Sequence, residues 1–102
     1  MQFQTATDGV ITVTLENKVF GNETLDPTIV IAGTGQMARV SIKSVQAIAS
    51  SDSVHKARYF KGMLAVLKDI IDRPGFDDFN GAYLVDELCV EITTQMILAK
   101  CK

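Results

Sequence analysis

Apolar and polar residues alternate along the first part of the chain, with the period of a strand that has one buried face. Within residues 10–15, Ile11, Val13 and Leu15 occupy one face, and threonines occupy the other. Residues 36–43 alternate in the same way. The pattern predicts strands at residues 3–5, 10–15, 19–20, 28–32 and 36–43.

Turn-forming residues separate these segments. Asp8-Gly9 and Gly33-Thr34-Gly35 are typical of tight connections between paired strands. Glu16-Asn17-Lys18 predicts another turn, and Asp26-Pro27 predicts a break, because proline restricts the backbone of the residue before it. Short connections between consecutive strands favour an antiparallel meander of three or four strands, with one face apolar and the other solvated.

The second part of the chain has the helical period, in which apolar positions recur every three to four residues. Residues 44–50 predict a short helix, and residues 54–72 predict a long one that Pro74-Gly75 terminates. An acidic loop at 76–81 leads to a last helix at 82–100. The apolar side of the long helix comprises Tyr59, Phe60, Met63, Leu64, Val66, Leu67, Ile70 and Ile71.

The order of these elements indicates the fold class. Strands come first and helices follow, which favours an α+β fold over one in which strands and helices alternate. We predict a single domain over residues 1–102, with a β-rich part at 1–43 and a helical part at 44–102. The short helix and the two longer helices would pack on one face of the sheet.

The last predicted helix is apolar on two sides. Tyr83, Val90 and Ile97 recur every seven residues, and they lie more than about 100° from the main apolar face. Such a helix is either enclosed in the core or shared with another chain, which would make the protein a homodimer through parallel or antiparallel helix packing. Both interpretations stay open. The main apolar face comprises Val85, Leu88, Cys89, Ile92, Met96 and Ala99.

Composition narrows the classes of function. The chain has 102 residues, of which 47% are hydrophobic, and a net charge of −2. A nucleic-acid partner is not expected, because binding to phosphates calls for a basic surplus. A membrane partner is not expected either, because no apolar run reaches about 18 residues. The first residues do not resemble a secretory signal, and Cys89 and Cys101 lie too far apart on one helix for a disulfide, so we expect a cytoplasmic protein.

One segment matches the fingerprint of dinucleotide-binding sites. Gly33, Gly35 and Ala38 fit the G-x-G-x-x-G/A spacing, and Asp52 follows about 20 residues later, where a ribose-binding acid belongs. The fingerprint requires a helix after the glycines, whereas residues 36–43 alternate as a strand. We therefore predict a hairpin turn. A small-ligand or nucleotide-binding enzyme subunit that uses Gly33-Thr34-Gly35 is the alternative function.

A basic stripe is predicted on the long helix. His55, Arg58 and Lys61 are spaced at i, i+3 and i+6, which places them on one side. They would form a contact for an anion or for an acidic partner. Because Asp69 and Asp72 interrupt the stripe, a solvated helix face is the simpler interpretation.

No set of residues predicts catalysis, a metal or a cofactor. Two cysteines and the single His55 do not make a zinc site at these spacings. The acidic loop imitates part of a calcium loop, but Phe76 stands where the first ligand would be. The motif G-x-S-x-G of serine hydrolases is missing from the sequence. We therefore expect a protein that is not an enzyme.

These observations favour a small cytoplasmic protein-interaction module, such as an adaptor, an assembly factor or an inhibitor. It would bind a protein partner, and also copies of itself, through an apolar helix face. In length and in its order of strands and helices, the chain resembles small phage tail-assembly chaperones and other phage or mobile-element accessory proteins. This resemblance is one of composition, and it implies a role in assembly.

Overall fold

The structure is a computed structural model that describes residues 2–5, 9–21, 23–33 and 35–100. The strands are β1 (Gln2–Thr5), β2 (Gly9–Phe20), β3 (Glu23–Gly33) and β4 (Gln36–Ser41). The helices are α1 (Ile42–Ala49), α2 (Lys56–Ile71) and α3 (Ala82–Lys100), with a short 3₁₀ helix at Phe76–Asp78 before α3.

The four strands form one antiparallel sheet in the order β1-β2-β3-β4. Each strand pairs with the next one in the chain, so the predicted meander is confirmed. Gly33 pairs with Gln36, and Gly35 has a φ of 73°, so the glycines do connect two antiparallel strands. Asp8 and Thr34, which belong to the predicted turns, lie outside the described residues.

Two predicted interruptions prove to be one irregularity inside the sheet. Glu16 pairs with Thr28 and Lys18 pairs with Leu25, which sets Asn17 against Asp26-Pro27 in a bulge. The prediction of a turn at 16–18 is therefore wrong, as is that of a break at 26–27. Residues of the turn-forming type allow the extra residue to be accommodated, and Asp26 takes a left-handed backbone with a φ of 50°.

A capping box starts the first helix earlier than predicted. The Ser44 backbone N–H donates to Ser41 Oγ at 3.2 Å, and the Ser41 backbone N–H donates to Ser44 Oγ at 2.8 Å. This reciprocal pair ends β4 at Ser41 rather than at Lys43, and it starts α1 at Ile42. At the other end, Lys56 Nζ donates to the carbonyl oxygens of Ala49 and Ser51, where a cation also suits the helix dipole.

The core lies between the sheet and the helices. Cross-strand neighbours such as Val13 and Ile31 supply the inner face of the sheet. α1 and α3 contact the strands, and α2 packs against α3. The predicted α+β fold, with helices packed on one sheet face, is therefore confirmed. Side chains that are fully covered include Val13, Ile29, Val40, Val45, Leu67, Ile70, Val85, Leu88 and Ile92.

Some predicted core positions are at the surface. Tyr59 is 37% exposed and Val66 is 41% exposed, because both lie at the edge of the apolar side of α2. Ala99 is also exposed. The reverse holds for Phe76, which begins the acidic loop but is only 7% exposed and joins the core.

Substitution by alanine at two glycines should change the free energy of unfolding in opposite directions. In α2, Gly62 has open space around it, so Gly62→Ala should raise the free energy of unfolding by about 0.5–1 kcal/mol through helix propensity. A Cβ at Gly81 would lie 2.9 Å from both Ile29 Cδ1 and Phe79 Cε1. Gly81→Ala should therefore lower the free energy of unfolding by about 1–3 kcal/mol. Urea unfolding followed by circular dichroism measures both values. Equal effects would contradict the packing of Gly81.

Candidate functional site

The outer face of α3 carries a line of exposed apolar side chains. Tyr83 is 54% exposed, Val90 is 67% exposed and Ile97 is 56% exposed. We call these three residues the outer stripe. The sequence left open whether they belong to the core, and in the single chain they lie at the surface.

The helical repeat explains this placement. Residues seven apart drift by only about 20° around a helix, so the outer stripe runs nearly parallel to the axis of α3. The covered residues Val85, Leu88 and Ile92 lie on the opposite side of the helix. Leu98, which is 52% exposed, widens the apolar surface beside Ile97. The structure thus separates the two apolar sides of α3 into one that packs and one that does not.

A local hydrogen bond makes the second half of this face more apolar. Thr94 lies one turn after Val90, and its Oγ1 donates to the Val90 carbonyl oxygen at 2.8 Å. The hydroxyl is therefore satisfied within the helix, as is common for threonine at this position.

The first half of the face is acidic. Asp86 and Glu87 lie between Tyr83 and Val90 along the helix, and both are exposed. The sequence between Ala82 and Ala99 contains no lysine or arginine. The charge along α3 is therefore asymmetric, with carboxylates near one end of the outer stripe and none between Val90 and Ile97 except the half-buried Glu91. Glu91 accepts a hydrogen bond from Gln95 Nε2 at 3.0 Å.

The predicted basic stripe is exposed and has no built pocket. His55 is the N-cap residue of α2, and Arg58 and Lys61 follow on its solvated side. Within the described residues, none of the three side chains makes a hydrogen bond or an ion pair. The neighbouring Lys56 turns the other way, toward the end of α1.

The glycine turn lacks the helix that a nucleotide site needs. Gly35 leads into β4 at Gln36, so the backbone after the turn pairs with Ala32 and Gly33 in the sheet. Phosphate binding in the fingerprint relies on the N-terminus of a following helix, which this connection does not supply.

In the described part of the chain, no three His, Cys, Asp or Glu side chains come together in a way that would hold a metal ion. Nor does any helix among those residues have the length and apolar character to cross a membrane. Cys101, one of the two cysteines, lies outside the described residues.

An open cavity of about 530 Å³ lies where β2 meets the loop after the 3₁₀ helix. The sequence pattern did not predict this cavity, because its walls come from segments about 60 residues apart. Among the described residues, Asp78 is the only titratable group in its lining, so these residues offer no paired groups for acid–base catalysis. The lining residues are Val13, Thr14, Leu15, Asn17, Asp78, Phe79 and Asn80.

The sheet face away from the helices carries an ion pair and also exposed apolar side chains, since Val10 is 48% exposed and Met37 is 59% exposed. Arg39 Nε lies 3.4 Å from Glu16 Oε2, an ion pair between β4 and β2 that crosses β3. Val30, which lies on this face, is only 6% exposed. Val10 lies on β2 and Met37 lies on β4, with β3 between them, whereas the outer stripe sets three exposed apolar side chains along one helix. We therefore take the outer stripe as the candidate interface.

Comparisons of the chain with protein-family models, curated proteins and solved structures found no match.

The cysteine in α3 should be a poor nucleophile. Burial, reinforced by the Asp86 carboxylate and opposed by Lys68, raises the pKa of the half-buried Cys89 thiol from its ordinary value of 9.0. In a Cys101→Ser variant, the rate of alkylation by iodoacetamide should therefore rise at a higher pH when the chain is folded than when it is unfolded in urea. A Cys89→Ala variant in the same background controls for labelling elsewhere.

The raised pKa of the Cys89 thiol should also make the stability of the protein depend on pH. Above pH 9.0 the unfolded chain loses this proton before the folded chain does, so the free energy of unfolding should fall as pH rises through that range. Cys89→Ala should remove this part of the pH dependence. Coincident alkylation profiles for the folded and unfolded chains would contradict the raised pKa.

Proposed function

We propose that this protein is a small, non-enzymatic interaction module that acts in the cytoplasm as an adaptor, an assembly factor or an inhibitor. It binds protein partners, including copies of itself, through the outer stripe of α3. An assembly role would agree with its compositional resemblance to phage and mobile-element accessory proteins.

The observation that carries this proposal is the exposure of Tyr83, Val90 and Ile97 in one line. Lone apolar side chains at a surface are ordinary, whereas a contiguous apolar patch is typical of an interaction site. Covering a half-exposed side chain of this size with a partner contributes about 1 kcal/mol. The tyrosine adds an aromatic side chain with a polar tip, a type that is enriched in interfaces.

A non-enzymatic role is supported by the chemistry of the cavity and of the cysteine. The described lining of the cavity beside β2 contributes one carboxylate, from Asp78. The Cys89 thiol is held in its protonated form, which is the less nucleophilic one. Neither place provides the nucleophile and base that covalent catalysis requires.

Two exposed valines offer a matched test. Val90 lies in the outer stripe, whereas Val54, which is 88% exposed, lies before α2. Val90→Glu should weaken partner binding by about tenfold or more, because the carboxylate would lose water at the interface. Val54→Glu adds the same charge and should leave binding unchanged.

Affinity capture with the wild-type chain and both variants, followed by quantitative mass spectrometry, measures the difference. Circular dichroism and thermal melts should show the same fold for all three, since both positions are exposed. If Val90→Glu retained every partner of the wild-type chain, including the chain itself, the proposal would be wrong.

A further inference from the structure

We propose that the edge of β2 beside the cavity binds an extended, basic peptide segment of another protein as an added strand. The site is separate from the outer stripe of α3, so it gives the chain a second binding surface. Three features support it: the pairing of β2, the position of the cavity, and the charge of the opposite wall.

β1 covers only the first part of one edge of β2. The last described pair between these strands sets Gln2 opposite Thr12. On its other edge, β2 pairs with β3 as far as Phe20. Among the described residues, no strand pairs with the β1-side edge of β2 from residue 14 onward. Every second residue of a strand directs its backbone N–H and C=O to the same edge, so this stretch offers donors and acceptors to an incoming strand.

The cavity of about 530 Å³ runs along this part of the edge. Val13 and Leu15 face the helices, whereas Thr14 faces the other side of the sheet, and all three line the cavity. A cavity that contacts residues of both faces lies at the edge of their strand. Its described lining includes no residue of β1 or β3. Residues 78–80 form the opposite wall, which leaves a groove between the strand and the loop.

The edge also lacks the side chains that usually protect an open strand. Lysine, proline or a covering segment commonly serves this purpose, but residues 13–17 contain neither lysine nor proline. The Glu16 carboxylate lies 3.4 Å from Arg39 Nε, so its charge is directed across the outer face of the sheet and away from the groove. The bulge at Asn17 ends the regular edge. Residues 14–17 thus offer about 13 Å for backbone pairing, at about 3.3 Å per residue.

The walls of the groove indicate the chemistry of the segment. The Asp78 carboxylate is the only charged group among the described lining residues, and the exposed Asp77 is its neighbour in the chain. A lysine or arginine would complement this charge. Leu15 and Phe79, both half-buried, offer an apolar contact to another side chain on the same face of the added strand. In this mode of binding, backbone hydrogen bonds provide affinity, and side-chain contacts provide specificity.

A capped hexapeptide of sequence Lys-Thr-Val-Thr-Lys-Thr is a suitable probe, because its lysines and valine share one face of a strand. Titration into the isotopically labelled wild-type chain, followed by NMR, should show saturable binding. At a peptide concentration ten times the Kd, groove-facing amides within residues 14–17 should exchange with solvent about tenfold more slowly. Amides of residues 10–12, which β1 already covers, should change little.

Two control peptides separate the sources of affinity. N-methylation of the backbone amides should abolish binding, because it removes the hydrogen-bond donors of the added strand. Replacement of both lysines by glutamate should weaken binding by about fivefold, because the Asp78 carboxylate would then face a like charge.

Two neighbouring aspartates offer a matched pair of variants. Asp78 lines the groove and Asp77 does not, and both are exposed. Asp78→Asn should weaken binding of the lysine peptide by about two- to fivefold, as expected for the loss of an exposed ion pair. Asp77→Asn makes the same change in charge and should leave binding nearly unchanged. Circular dichroism should show the same fold for both variants.

Several results would overturn the added strand. These are equal binding of the N-methylated peptide, and unchanged exchange at residues 14–17 when the lysine peptide is present. Equal binding of the glutamate peptide would overturn the preference for a basic segment. Slower exchange at residues 14–17 as the chain itself is concentrated, without peptide, would make a second copy the occupant in place of the peptide.

The Val90→Glu variant distinguishes this site from the outer stripe. It should bind the lysine peptide as well as the wild-type chain does. Loss of peptide binding in this variant would place the peptide on α3 and overturn the site at β2. Failure of the lysine peptide to bind would overturn this site and leave the function proposed for the outer stripe intact, because that function is tested by capture of protein partners.

Discussion

The burial of one side of α3 is the interaction on which the rest of the structure depends. Leu84, Val85, Leu88 and Ile92 are almost completely covered. They lie among β3, α1, α2 and the 3₁₀ helix, all of which contact α3. The sheet has one apolar face and α2 has one apolar side, and neither forms a closed core alone. The last element of the chain therefore joins the layers that precede it.

The fold class was predictable from periodicity, because the meander and the two long helices follow simple repeats of two and of about 3.6 residues. The interruptions were less predictable. Asn17 and Asp26 have the residue types of turns, but their effect depends on being opposite each other across two strands. The role of Ser44 was hard to predict for a similar reason. It forms a capping box only together with Ser41, which the alternating pattern assigned to the interior of a strand.

The candidate site could be predicted in part. Spacing alone identified Tyr83, Val90 and Ile97 as one stripe, since a repeat of seven fixes their common side. Whether that side was buried could not be predicted, because it depends on where the sheet and α2 pack around α3. The exposed fractions assign it to the surface. The cavity beside Asp78 had no sequence signal, because the fold brings together two segments that are distant in the chain.

The separation of the two sides of α3 also bears on how such a protein can diverge. The positions of α3 that are buried in the core, such as Leu88 and Ile92, are different from the positions that are exposed to solvent, such as Val90. Exposed substitutions usually change stability by less than about 0.5 kcal/mol. The outer surface can therefore change in sequence at little cost in stability, while the buried side keeps the same chain folding. The exposed side of this one helix can thus vary in sequence while its buried side stays constrained by packing.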